Sequence, residues 1–577
     1  MSEHELTARL RAEDELITDR LRHWARTTGD RTFLYYGEDD VSFTYAEFDR
    51  RTDAIAGNLV GSGVARGDRV SVFSLNPMIT ALVMVGCWKA GAVYAPVNFS
   101  YTGRLLSYQL DDTRPVLIVT DPALLPALNA VADVLEQPPA VALYTPPEGA
   151  HDHAAAPDLH PAFRPVAWGD LVAAADAPEI TIAFDDPANV FYTSGTTGPS
   201  KGVLQPFRWM AQYTWGLRMP LCEEDVVYND LPMYHVGGAL ANFGRALWQG
   251  SEVAVWNRFS PTRFWERIHS RGATAAILLD VMIPWLSKAP ASADDRRNTL
   301  NKAYMQPLPL QHNEFCRRFG IDHVGAGFGQ TEAGAPLGVL IEETAPGEGT
   351  PADLSRGHSH SALAEIAAAK GVPVLQASEA GRKGLMGRPS PFFDVTVRNE
   401  RDEECEPEEP GHLAVRPKVP GLLLESYLNK PEATVTATRN LWFHTGDAAV
   451  VGEDGLFYFV DRLGDRIRVR GENLSSFQVE DMLNQHPVIR MSAAFPIPGA
   501  EGDEDDIVAY VVPTKESLTV DEVVQFAEDT MPKYMRPRYV RIVDDIPRTP
   551  TNKVEKYRLR QRILAELTGA EAEVERW

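Results

Sequence analysis

Apolar residues follow two alternating spacings along the first half of the chain. Short runs such as Val70-Ser71-Val72-Phe73, Val93-Tyr94-Ala95-Pro96-Val97 and Val116-Leu117-Ile118-Val119 read as buried strands. Between them, residues 79–90 and 107–111 place apolar positions at helical spacing, and the first stretch stops at Gly91. Strands and helices in alternation, with the strands apolar on both faces, predict a parallel α/β sheet. The pattern resumes with a strand at Val190-Phe191, a helix near Arg208 and a strand at Glu252-Val253-Ala254-Val255. Two stretches interrupt it. Residues 138–165, polar and rich in proline and alanine, read as a surface excursion. Residues 342–383, rich in alanine, glycine, serine and acid, read as an inserted loop with a short helix over 361–370. From Asp465 the chain turns densely basic and then mixes short strands with helices. That shift places a domain boundary at Leu463-Gly464, giving domains 1–463 and 464–577.

Length changes the picture little: 577 residues exceed one compact domain, so several lobes are expected. Charge changes it more. A net charge of -24 opposes a nucleic-acid backbone as partner, and an anionic small molecule would need locally placed cations. Cys87, Cys222, Cys316 and Cys405 lie far apart, which argues against a zinc site or a disulfide framework and fits a reducing compartment. The first 22 residues alternate charged and apolar positions and carry no signal-peptide core, and no apolar run nears the ~20 residues of a bilayer span. A cytoplasmic protein without stable membrane insertion is expected, and a homodimer remains open.

The strongest local signal is Tyr192-Thr193-Ser194-Gly195-Thr196-Thr197-Gly198-Pro199-Ser200-Lys201-Gly202, between an apolar strand and a helix. Glycines let backbone N–H groups turn toward an anion, the hydroxyls of Thr193, Ser194, Thr196 and Thr197 add donors, and Lys201 adds charge. These groups suit a triphosphate. The spacing is not that of the usual P-loop, because no Gly-Lys-Ser/Thr follows.

This loop resembles the signature of the adenylate-forming superfamily, which includes acyl-CoA synthetases, luciferases and the adenylation domains of peptide synthetases. Further motifs of that family follow in order. They are Phe43-Thr44-Tyr45-Ala46-Glu47, Lys89-Ala90-Gly91-Ala92, Pro96-Val97-Asn98 and Leu231-Pro232-Met233-Tyr234-His235-Val236-Gly237-Gly238. Gly327-Phe328-Gly329-Gln330-Thr331-Glu332, Trp442-Phe443-His444-Thr445-Gly446-Asp447, the stretch from Asp461-Arg462 to Gly471-Glu472-Asn473, and Pro547 to Lys553 complete the series. The resemblance spans residues 30–567. It implies an α/β fold, with a large N-terminal adenylate-forming domain of several subdomains and a small, mobile α+β C-terminal domain.

It also implies a reaction: a carboxylic acid attacks the α-phosphate of ATP, pyrophosphate leaves, and the thiol of coenzyme A then displaces AMP from the acyl-adenylate. Joining two anions requires neutralisation and in-line placement. By resemblance, Lys553 sits between the carboxylate and the α-phosphate, Glu332 holds Mg²⁺ and Thr331 touches the α-phosphate. Thr193 to Gly198, Lys201, Gly329 and Gln330 surround the nucleotide. Asp447 accepts from the ribose hydroxyls, and Arg462 contacts ribose or phosphate. His235 is a further catalytic candidate, and with Tyr234, Gly237, Gly238, Met305 and Gly327 it lines the acyl pocket or thiol channel. Glycines there leave room for a bulky acyl group. Gly464 is the hinge about which the small domain turns, bringing Gly471, Glu472 and Asn473 to coenzyme A. A helix begins near Ser475-Ser476-Phe477-Gln478, which has capping-box spacing.

The departures from the family are local. Asn552 replaces a common glycine, Gly464 a common Asp or Lys, and Phe207 a common histidine. Tyr304-Met305-Gln306 replaces the small residues that usually lie along the adenine. The surrounding text, through Phe315-Cys316-Arg317-Arg318-Phe319-Gly320, resembles the carnitine and crotonobetaine CoA-ligase branch. The leading reading is an acid–CoA ligase using ATP, Mg²⁺ and coenzyme A. Alternatives are an enzyme of the thioester step alone, a ligase that loads a carrier protein, and a non-catalytic nucleotide- or acyl-adenylate-binding module.

Overall fold

The computed structural model describes residues 1–155, 157–193, 200–279, 282–399, 401–462, 466–469, 472–499, 504–514, 518–547, 554 and 556–568. Its contacts divide the chain into two compact units, with the main change at Asp461/Arg462.

The larger unit holds two large sheets. One has eight strands, and its parallel core runs through Val93–Pro96, Arg69–Phe73, Leu117–Thr120 and Ala140–Leu143 to Arg164–Ala167. The structure corrects the reading of residues 138–165 as a pure surface excursion. Ala140–Leu143 pairs in register with Leu117–Thr120, and Val141 and Ala142 are buried. Four residues are too short to show a period, and the surrounding prolines and alanines mask them.

The helix Pro77–Lys89 is buried along its whole length. Asn76 starts it by accepting from the Met78 and Ile79 amides at 3.1 and 3.2 Å, with Pro77 at the first turn. Its one charge, Lys89, is fully buried and donates to Asp49 and Asp53 of the helix Tyr45–Gly61 at 2.6 and 2.7 Å. Pairing is what makes a buried ammonium tolerable here.

The second sheet, of fourteen strands among the described residues, includes His323–Gln330 and Phe443–Val451, on which most of the Gly327–Glu332 and Trp442–Asp447 motifs lie. Its parallel stretch runs from Thr32–Tyr36 through Glu252–Val255, Val226–Asn229 and Ala275–Leu278 to Lys302–Met305 and His323–Gln330. Gly334–Glu342 then returns antiparallel beside His323–Gln330. Residues 342–383 are more than an inserted loop. The helix His360–Lys370 buries Leu363 and Ala367 against Met219 and Leu340, and Val374–Gln376 pairs parallel to Gly334–Glu342.

The smaller unit contains a three-stranded sheet of Ile489–Pro498, Asp505–Pro513 and Tyr539–Ile542, and a hairpin of Arg466–Val469 and Glu472–Ser475. The helix Ser476–Leu483 begins where the capping-box spacing placed it. Among the described residues, no helix is long and apolar enough to cross a membrane.

Candidate active site

The glycine-rich loop lies between two strands, Pro187–Thr193 and Lys201–Pro206, so Thr193 and Lys201 each stand at a strand end, half-buried. Ser194, Gly195, Thr196, Thr197 and Gly198 lie outside the described residues, as do Gly464, Gly471 and Lys553. Arg462 ends the strand Phe457–Arg462, and Glu472 and Asn473 open the strand Glu472–Ser475; their side chains are not described.

The Gly329-Gln330-Thr331-Glu332 segment is the best-defined part of the site. Gly329 and Gln330 end the strand His323–Gln330, and Thr331 and Glu332 follow it, each only 5% exposed. Three donors hold the backbone: Gln205 Nε2 to the Thr331 carbonyl at 2.7 Å, Trp209 Nε1 to the Glu332 carbonyl at 3.3 Å, and the Leu424 amide to the same oxygen at 2.8 Å. The Tyr427 hydroxyl donates to Glu332 Oε1 at 3.1 Å. Gln330 Nε2 donates to the Thr445 carbonyl at 3.0 Å, which ties this segment to the Thr445-Gly446-Asp447 turn. Gln330 Oε1 is buried and has no partner among the described residues. Asp447 is buried on the strand Phe443–Val451, and its amide donates to Thr445 Oγ1 at 3.1 Å. Two buried carboxylates and an unsatisfied amide oxygen, on two segments tied together by Gln330, fit a polar, metal-bound ligand. Glu332, a hard oxygen donor, is the residue that would hold Mg²⁺.

The aromatic-histidine motif forms a turn before the π-helix Gly237–Gly244. His235 Nδ1 accepts from the Gly237 amide at 3.1 Å, and Tyr234 packs edge-on against Phe99 with centroids 4.9 Å apart. Gly238 and Gly327 do not mark open space. A Cβ on Gly238 would lie 2.4 and 2.5 Å from the Leu231 and Pro232 carbonyl oxygens, and one on Gly327 would lie 2.4 Å from the Leu337 oxygen. Close backbone packing accounts for both.

Asp230, just before this motif, is buried and pushed up to about 6 by desolvation, against the Tyr228 hydroxyl at 2.7 Å and Arg267. The folded protein therefore keeps a proton that the unfolded chain releases. Its stability contribution is full below pH ~4 and falls by about 3 kcal/mol as pH rises to ~6. Asp230→Asn, neutral throughout, is expected to lose that decline, read from urea midpoints at pH 4.5 and 7. An unchanged decline would place the titration elsewhere.

The open space lies behind Tyr304. A narrow cleft of about 60 Å³ runs over the face of the strands Lys302–Met305, His323–Gln330 and Gly334–Glu342. Strand alternation puts Tyr304 on its wall, whereas Met305 is fully buried in the core and does not line it. Gly325 and Gly327 share one strand face, and the Tyr304 ring packs there; Cβ atoms on them would meet Tyr304 Cδ2 at 3.0 Å and its Oη at 3.2 Å. The Tyr304 hydroxyl donates to Gln306 Oε1 at 3.2 Å, and Gln306 Nε2 donates to the Gly329 carbonyl at 3.3 Å. This relay joins the cleft to the segment carrying Thr331 and Glu332. Sequence reasoning missed the cleft's charged wall, Arg245 and Lys302, because neither belongs to a motif.

Comparison with known proteins agrees with this layout. Residues 21–422 match the AMP-binding enzyme family, and residues 478–553 match the AMP-binding enzyme C-terminal domain. A crotonobetaine/carnitine–CoA ligase of Citrobacter koseri is 27% identical over 552 residues, covering 93% of this chain and 97% of the relative. The same enzyme from Salmonella arizonae is 27% identical over 90% of this chain and 93% of its own. Among solved structures, an o-succinylbenzoate CoA synthetase from Bacillus subtilis superposes with a TM-score of 0.72 at 22% identity, covering 94% of this chain and 98% of its own. An amide bond synthetase from Marinactinospora thermotolerans gives 0.70 at 21%, covering 95% and 99%. With the family match covering most of its length and the braced Gly329–Glu332 segment in place, the chain belongs to the AMP-binding enzymes.

Proposed function

We propose that this AMP-forming acid–CoA ligase works through an acyl-adenylate, with its two half-reactions separated by rotation of the C-terminal domain about Gly464. The observation that carries the reading is the braced Gly329–Glu332 segment, with its buried carboxylate, joined by Tyr304 and Gln306 to a largely apolar cleft. The acid's carboxylate attacks the α-phosphorus of ATP and the bond to pyrophosphate breaks. Glu332 would hold the Mg²⁺, which offsets charge on the phosphate oxygens. Thr331 contacts the α-phosphate, Asp447 and Arg462 hold the ribose, and Lys553 neutralises the two approaching anions. In the second step the thiolate of coenzyme A attacks the acyl carbonyl, AMP leaves, and Gly471, Glu472 and Asn473 receive the pantetheine arm.

The relatives' names do not transfer an acid to this chain. Crotonobetaine and carnitine carry a quaternary ammonium, whereas the charged groups on this cleft wall are cations. The reading is tested by acid-dependent ATP–pyrophosphate exchange with Mg²⁺ over a broad acid panel, then by AMP and thioester formation with coenzyme A. Exchange with at least one acid, and thioester from that acid, is the expected result. Exchange without thioester, relieved by a carrier protein, would replace coenzyme A as acceptor. Thioester only from a synthetic acyl-adenylate would reduce the protein to the second step.

A further inference from the structure

The cleft behind Tyr304 has an apolar wall along Trp215, Leu217, Met219, Leu337 and Val339, yet three cations line it and no aspartate or glutamate does, among the described residues. Two of the three are accounted for. Lys302 Nζ meets Asp225 Oδ1 at 2.6 Å, and Arg388, exposed, donates to the Asp454 carbonyl at 3.1 Å.

Arg245 is different. It opens the short helix Arg245–Gln249, is 2% exposed, and forms no ion pair among the described residues. Its Nη2 donates to Asn242 Oδ1 at 3.1 Å, its Nη1 reaches the Leu217 carbonyl only at 3.5 Å, and its Nε has no partner. Asn242 is itself held by Nδ2 to Asn229 Oδ1 at 3.0 Å, which fixes the guanidinium's orientation. Asp225 supplies the largest compensating field, but its oxygens are already engaged by Lys302, Thr274 and the Cys222 amide at 2.6, 2.6 and 2.8 Å. Two buried cations thus share one buried anion. The cost shows in Arg245 itself, whose pKa burial pulls down to about 10. An uncompensated buried guanidinium is costly to a fold and persists where a ligand completes it. Arginine is the side chain suited to that ligand, because its planar fork matches a carboxylate.

We propose that the cleft receives a dicarboxylic acid, whose far carboxylate pairs with Arg245 while its near carboxylate reaches the Thr331–Glu332 end for activation. This rests on the acid-activating reading above. The apolar walls take the chain between the two carboxylates, and the Tyr304–Gln306 relay marks the reacting end. An acid with a quaternary ammonium at its far end would set like charge beside Arg245 and is excluded.

The test uses the full-length protein and compares α,ω-dicarboxylic acids from adipate to dodecanedioate with fatty acids of the same chain lengths and with a trimethylammonium acid. ATP–pyrophosphate exchange gives kcat/KM, and calorimetry gives Kd. At least one dicarboxylate is expected to exceed its fatty-acid counterpart by about tenfold or more, the range of a charge-assisted pair. Arg245→Met should abolish that preference, and Arg245→Lys should restore part of it. The wild-type preference decides the matter even if a variant fails to fold. Fatty acids or the trimethylammonium acid preferred, or a dicarboxylate preference unmoved in folded Arg245→Met, would overturn the proposal and leave acid activation standing. Tight dicarboxylate binding, weakened by Arg245→Met, without exchange would support the subsite and sink the activating reading. Neither binding nor exchange of any dicarboxylate would overturn the subsite.

Discussion

Glu332→Gln is expected to lower acid-dependent ATP–pyrophosphate exchange by about 10²- to 10³-fold at saturating Mg²⁺, with little change in thermal stability. Glutamine keeps the shape of the side chain, and its amide oxygen still accepts from the Tyr427 hydroxyl that holds Oε1 at 3.1 Å. The Glu332 main chain stays pinned by Trp209 and Leu424. Only the negative charge goes. A divalent cation held at this carboxylate would need that charge, because a neutral amide is a much weaker ligand for a hard ion. The rate should recover in part as Mg²⁺ is raised, which a merely structural role would not produce. Exchange at the wild-type rate with an unchanged Mg²⁺ requirement would remove Glu332 from the metal site. A large fall in unfolding midpoint would recast the Tyr427 contact as a structural one.

The contrast between legible and hidden features follows from what sequence patterns record. The strand before the glycine-rich loop, the helix Pro77–Lys89 and the helix start at Ser476 were readable because period and capping are local properties, whereas the strand Lys201–Pro206 after the loop was not read. The strand Ala140–Leu143 was not, since four apolar residues among prolines carry no period. The glycines of two motifs misled in a different way. Gly238 and Gly327 suggest open space in a sequence, but coordinates show carbonyl oxygens pressed against both. Tyr304 and Met305 are adjacent and both bulky, and strand alternation alone sends one to the cleft and the other to the core. Arg245 was invisible because an arginine's meaning lies in its burial and in the absence of an acid beside it. Both are long-range facts, decided by Asp225 being taken by Lys302, which is distant in sequence.

Lys553→Ala is expected to depress adenylation by about 10³-fold while leaving thioester formation from a supplied acyl-adenylate within about threefold of wild type. Lys553 lies outside the described residues, so the expectation rests on the Pro547 to Lys553 motif and on the chemistry of the step. Adenylation brings a carboxylate against a phosphate, and one cation between them lowers the repulsion most where the new bond forms. Thioester formation has no such meeting of anions at the acyl carbon, so the same lysine has little to contribute there. A structural lysine would slow both steps alike, through loss of fold. Single-turnover assays of each half-reaction separate these cases, with the unfolding midpoint as a control. If both steps fall together in a folded variant, the two half-reactions share one arrangement of the chain and rotation about Gly464 is refuted. If only the first falls, Lys553 serves adenylation alone, the division of labour that a hinge at Gly464 requires.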